Sequence, residues 1–84
     1  MNPNRKEIIV IGTIGNQQKQ IILSEQSTTI YNISIDKEYQ GQVLQLTGKW
    51  GVYLIPESWL NGEKCDEIRQ EIRRAVLNDE NQNR

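Results

Sequence analysis

The sequence predicts an α+β domain of about five antiparallel strands, two hairpins plus a linking strand, packed by one C-terminal amphipathic helix. Three observations predict it. Most of the 12 Ile residues fall in short clusters before residue 36, and β-branched side chains favour strands. Short Gly-containing breaks separate apolar runs, which is hairpin spacing. After residue 61 the apolar period changes from two to that of a helix.

The first run, Lys6 to Ile14, places Ile8, Val10 and Ile14 on one face and Ile9 and Ile11 on the other. Gly15-Asn16 then forms a two-residue loop into Gln17 to Ser24, because positive φ suits the twist of such a turn. That loop sets Val10 opposite Ile21, Ile9 opposite Ile22 and Ile8 opposite Leu23, so apolar meets apolar at three successive pairs. Glu25 to Ser27 reads as a polar connection. Thr28 to Ile35 follows, with Tyr31, Ile33 and Ile35 on a buried face and Ile30, Asn32 and Ser34 on a wetter one. Asp36 to Gly41 reads as a turn. A second hairpin comprises Gln42 to Thr47 and Trp50 to Ile55, joined by Gly48-Lys49 as a type II′ turn. Pro56 cannot donate to a ladder and ends the fifth strand.

For the helix, Asn61 is the expected N-cap, with Glu63, Asp66 and Glu67 at the end where the dipole favours negative charge and Arg73 and Arg74 in the last turns. At about 100° per residue, Cys65, Ile68, Ile72, Ala75 and Val76 form one stripe, while Leu77 points elsewhere. The domain is expected to span residues 6–77, with residues 1–5 and the polar tail 78–84 disordered. One helix covers one face of a five-stranded sheet. Ile9, Ile11 and Ile22 on the other face therefore need a curled sheet or small barrel, or another protein, to cover them.

Composition excludes several classes of function. The chain has 84 residues, no His and a single Cys. A Ser-His-Asp triad, a Cys-His pair, a zinc finger and an intramolecular disulfide are thereby ruled out. The net charge of −1 speaks against a strongly basic nucleic-acid binder or a polybasic membrane anchor. No apolar run approaches the ~20 residues of a membrane span. The opening Met-Asn-Pro-Asn-Arg-Lys leads into a strand pattern without an apolar leader, so no signal peptide is expected. These bounds point to a small cytoplasmic protein with no cofactor and no metal. The 17 Asn and Gln residues are dispersed outside the tail and form no prion-like tract.

Candidate chemistry is sparse. Glu63, Glu67 and Glu71 recur every four residues and read as a solvated helix flank, because general acid-base work needs paired groups in a desolvated pocket. Gly12 and Gly15 lack the spacing and the Lys of a phosphate loop. Cys65 lies in the apolar stripe and reads as a small buried hydrophobe; the alternative is a thiol activated at the helix N-terminus. Arg69 and Arg73 share the flank opposite the glutamates. They are solvated, or paired with Asp66 three residues before Arg69 and with sheet carboxylates, or else an anion-docking pair. Lys49 and Trp50 form an exposed tip suited to a protein or nucleobase contact, or else Trp50 folds over the sheet edge. Trp59 reads as a structural plug at the end of the sheet.

The segment Gly51-Val-Tyr-Leu-Ile-Pro-Glu-Ser-Trp-Leu, continuing through Glu67 to Ile72, resembles the close of bacterial pleckstrin-homology-like domains. In those, a last strand runs through an Ile-Pro turn into a capping amphipathic helix. The resemblance covers the last third to half of the chain and rests on a strand-Pro-helix pattern. It implies a partial domain of that kind, a sheet closed by a C-terminal helix. The chain falls short of the seven strands of the full domain and lacks its basic lipid-binding loop, so no site residues carry over.

The expected function is that of a non-catalytic protein-interaction module, a regulator, adaptor or subunit binding a protein partner or itself. Its surface would be Ile9, Ile11 and Ile22 with the tip Lys49-Trp50. The rival is a nucleic-acid-binding small β-barrel that uses Lys49, Trp50, Tyr53, Arg69 and Arg73.

Overall fold

A computed structural model describes residues 6–82. The expectation for residues 1–5, and residues 83 and 84 of the tail, lie outside that range. Five strands, β1 (Glu7–Ile14), β2 (Gln17–Ser27), β3 (Ile30–Ile35), β4 (Glu38–Leu46) and β5 (Lys49–Leu54), form one antiparallel sheet in chain order. The sheet curls into a half-barrel. A 3₁₀ turn, Glu63–Cys65, leads into the helix α1, Asp66–Gln82, which packs against both edge strands, β1 and β5.

The first hairpin has the expected pairing, with Ile8 opposite Leu23, Ile9 opposite Ile22 and Val10 opposite Ile21. Only Gly15 of its loop has positive φ, +63°, as a type II′ turn requires. All four connections between strands are two residues long. At Asp36-Lys37 both residues have positive φ, 52° and 68°. The same holds at the last hairpin, where Thr47 has φ 49° and Gly48 φ 80°. That loop is therefore Thr47-Gly48 in the type I′ sense, one residue earlier than expected, because Lys49 closes the ladder opposite Leu46. Two connections read from the sequence as loops are strand instead. β2 continues through Glu25 to Ser27, and β4 begins at Glu38.

The register shifts between Ile33 and Ser34, where Gln40 is an extra residue between Tyr39 and Gly41. Such a bulge bends the strand and increases its twist. Gly41 has φ +142°, and a Cβ there would lie 2.3 Å from the Tyr53 carbonyl oxygen. Only glycine fits.

The core fills the concave side. Val10, Ile21, Leu23, Tyr31, Ile33, Ile35, Val43 and Trp50 from the sheet meet Cys65, Ile68, Ile72 and Val76 from the helix, with Leu60 beneath them. The predicted helical stripe faces this core, although Leu77 also packs against it rather than pointing away. Asn61 does not cap the helix. Its amide donates to the Ile55 and Pro56 carbonyls at 2.8 and 3.0 Å and so closes the loop after β5.

Helix α1 runs to Gln82, past the expected end at Leu77, so residues 78–82 of the presumed disordered tail are helical. Long-range contacts hold this last segment. Lys6 Nζ lies 2.8 Å from Asp79 Oδ2, and the Tyr31 hydroxyl donates to the same oxygen at 3.4 Å. An acid near a helix C-terminus opposes the dipole, and the Lys6 ammonium offsets it. Arg73 and Arg74 consequently lie mid-helix.

Candidate functional site

Strand alternation puts one set of side chains on the convex side of the sheet, away from the helix. On β1 these are Glu7, Ile9, Ile11 and Thr13, all exposed. Ile9 is 55% exposed and Ile11 52%, and the partly buried Ile22 lies opposite Ile9. The three isoleucines named from the sequence are thus brought together as an apolar corner. A second apolar region occupies the other end of the same face: Ile30 opposite Leu44, with Leu46, 53% exposed, beyond them. Polar side chains divide the two, with Gln42 Nε2 donating to Asn32 Oδ1 at 3.0 Å and to Gln26 Oε1 at 3.3 Å. The Leu44 and Leu46 region was missed in the sequence. The period-2 pattern could have shown it, because Leu44 and Leu46 alternate with the inward Val43 and Gln45.

The pair at the last hairpin separates. Lys49 is exposed, but Trp50 is 4% exposed and belongs to the core. Its ring lies 5.9 Å from that of Tyr31 at an interplanar angle of 58°, a tilted aromatic contact. The physical reason is the hairpin register. With the loop at Thr47-Gly48, Trp50 is a ladder residue opposite Gln45 on the helix side. Trp50 therefore leaves the candidate contact surface. Its Nε1 is buried with no hydrogen-bond acceptor among the described residues.

The residues of the nucleic-acid reading do not converge. Tyr53 is 51% exposed on the convex face, its ring against Gly51, whereas Arg69 and Arg73 belong to the helix on the concave side. Arg69 is also committed elsewhere: its guanidinium donates to the Leu60 carbonyl, to the Gly62 carbonyl at 2.9 Å and to Asp66 at 3.4 Å. It clamps the loop before the helix. Arg73 is exposed. The glutamate row is exposed as well, and Glu71 pairs with Arg74. Cys65 is buried, its thiol 3.5 Å from the Trp59 carbonyl.

Trp59, expected to be a plug, is 41% exposed. The Lys19 ammonium sits 5.1 Å from its ring centroid, within cation–π range. Its backbone N–H is anchored to Gln40 Oε1 at 2.9 Å.

Two shallow clefts flank the helix. One, about 260 Å³, lies between β1 and the start of α1 and is lined by Ile11, Gly12, Lys64, Glu67 and Ile68. The other, about 220 Å³, is lined by Lys6, Glu25, Tyr31, Trp50 and Asp79. At the second cleft the Lys6 pKa is raised, first by its hydrogen bond to Asp79. The Tyr31 pKa is raised by burial and then by the Asp79 charge. Both groups thus keep their protons above their ordinary range.

Among the described residues no helix is long and apolar enough to cross a membrane, and no three acidic or sulfur side chains converge as a metal site would need. Compared with known proteins, the chain matches no family model, no curated protein and no solved structure.

Proposed function

We propose that this chain is a non-catalytic protein-interaction module whose contact surface is the convex face of the sheet at the β1 corner. One observation carries the reading. Ile9 and Ile11 are each more than half exposed and stand beside Ile22, while the helix packs on the other face. Large apolar side chains gathered in this way mark interaction surfaces more often than scattered ones do. A small core supports the same reading, because association adds buried apolar area that a chain of this size lacks.

A tagged pull-down from the source cell tests it, with the lysate split and half treated with nuclease. Protein partners that survive nuclease at moderate salt and are lost with Ile11→Asp are the expected result. Partners that vanish with nuclease would replace this reading with nucleic-acid binding. An Ile11→Asp chain that keeps both its fold and all its partners would remove the sheet corner from the proposal.

A further inference from the structure

We propose that the free edge of β1 pairs with the same edge of a second copy of this chain, antiparallel and centred on Val10, so that two five-stranded sheets become one. This rests on the reading above that the β1 corner is the contact surface, and it names the occupant.

The register shows which backbone groups are available. Glu25 N–H donates to the Lys6 carbonyl at 2.8 Å, and Lys6 stands opposite Glu25 in the register that continues from Glu7 opposite Ser24. In an antiparallel ladder, bonded and non-bonded pairs alternate. Ile8, Val10, Gly12 and Ile14 therefore bond to β2, while the N–H and C=O groups of Glu7, Ile9, Ile11 and Thr13 point out of the sheet. Those four residues are exposed, and their backbone groups have no partner among the described residues.

The other edge differs. By the same rule, set by the Ile55 N–H on the Gln40 carbonyl, the outward groups of β5 belong to Trp50, Val52 and Leu54. These are buried or partly buried residues on the helix side. The outward groups of β1 belong instead to exposed residues, and between Glu7 and Ile14 there is no Pro, no Lys and no bulge.

The pattern along β1 is self-complementary in one register. Centred on Val10, Ile9 faces Ile11 of the second copy and Ile11 faces its Ile9, while Glu7 faces Thr13 at each end. Every outward N–H then meets an outward C=O, and both isoleucine pairs form. Centring on Ile9 would set Ile11 against Glu7, and centring on Ile11 would set Ile9 against Thr13. The central register also uses nearly the whole strand and places no like charges opposite each other, in a chain of net charge −1 that resists association little. Helix α1 packs from the inner face, where Ile68 lies against Gly12, with Lys64 and Glu67 across a cleft from Ile11.

Sedimentation equilibrium over a concentration series, with amide exchange measured by NMR, tests the proposal. The wild-type chain is expected to reach twice its 9.8 kDa mass, with the Ile9 and Ile11 amides becoming protected as concentration rises. Ile9→Lys alone and Ile11→Glu alone should each weaken self-association roughly tenfold. Mixing the two should restore it, because Lys at 9 then faces Glu at 11. A dimer that mixing does not restore overturns the register. A chain that stays single at every concentration, with freely exchanging Ile9 and Ile11 amides, overturns the second copy as occupant. In that case, nuclease-resistant partners still lost with Ile11→Asp would leave the interaction module standing. The wild-type exchange measurement decides the matter even if a variant fails to fold.

Discussion

Ser58 Oγ donates a 2.8 Å hydrogen bond to Gln40 Oε1, and both side chains are buried. The same Gln40 oxygen accepts the Trp59 N–H, Ser58 Oγ accepts the Leu60 N–H at 3.0 Å, and Gln40 Nε2 donates to the Glu38 carbonyl at 3.1 Å. The bulge in β4 thus supplies the side chain that holds the loop between the last strand and the helix. A buried network of this kind stabilises only when each member is satisfied.

Ser58→Ala should therefore cost about 1–3 kcal/mol, since it strips an acceptor from a buried N–H and a donor from Gln40. For a domain of this size that is a fall in melting temperature of roughly 4–24 °C. Gln40→Leu should cost at least as much. A thermal melt unchanged in both variants would show that the loop is held by apolar contacts alone.

Gly41→Ala tests the bulge itself. Its Cβ would sit 2.3 Å from the Tyr53 carbonyl oxygen, so the β4–β5 ladder must open, at a cost of roughly 3 kcal/mol or more. Gly15→Ala meets nothing within 4 Å but has φ +63°, and should cost about 1–2 kcal/mol. Urea unfolding should rank the two in that order.

Lys6 and Tyr31 set an alkaline limit. Both pKa values are raised in the folded state, Lys6 from 10.5 and Tyr31 from 10.0. Above those ordinary values the unfolded chain releases protons that the folded chain retains, so stability falls as pH rises. Unfolding free energy should be level near neutrality and decline above about pH 10. Tyr31→Phe and Lys6→Met should each flatten the decline, and a wild-type profile level through pH 11 would contradict the Asp79 contacts.

The two tryptophans should report separately. Trp59→Phe leaves Trp50, which is 4% exposed, and its fluorescence should resist acrylamide. Trp50→Phe leaves Trp59, 41% exposed and readily quenched. Equal quenching of the two variants would return Trp50 to the surface.

The arginines should divide as well. Arg69→Met removes the clamp on the Leu60 and Gly62 carbonyls and should cost about 1–2 kcal/mol. Arg73→Ala, at an exposed position, should change stability by less than about 0.5 kcal/mol. A reversed order in chemical denaturation would refute the clamp.

The first hairpin was legible because its isoleucines leave one register in which apolar meets apolar, and Gly15 marks its turn. The last hairpin was misplaced by one residue because Thr47 carries a positive φ that its side chain does not advertise. The error left Trp50 directly beside the loop instead of one residue further into the ladder, so a core residue read as part of an exposed tip. Nor does local sequence reveal the end of the helix. Residues 78–82 are polar, and what holds them is Lys6, 73 positions earlier in the chain. The pairing of Arg69 with Asp66 was legible from their spacing, whereas its clamp on the Leu60 and Gly62 carbonyls was not, because no side-chain pattern shows a backbone acceptor. The β1 corner was readable from alternation alone, whereas its open edge emerged only from the hydrogen-bond register.

The Lys6–Asp79 contact brings the two ends of the described chain side by side, while neighbouring strands are linked by loops of two residues. In topological terms the molecule is close to a ring with one cut. A short polar linker from the helix end back to residue 6 would close that ring, and a new cut at the Gly15-Asn16 loop, where nothing crowds the backbone, would reopen it. Such a circular permutant would keep every strand neighbour and would carry its new termini at the far end of β1.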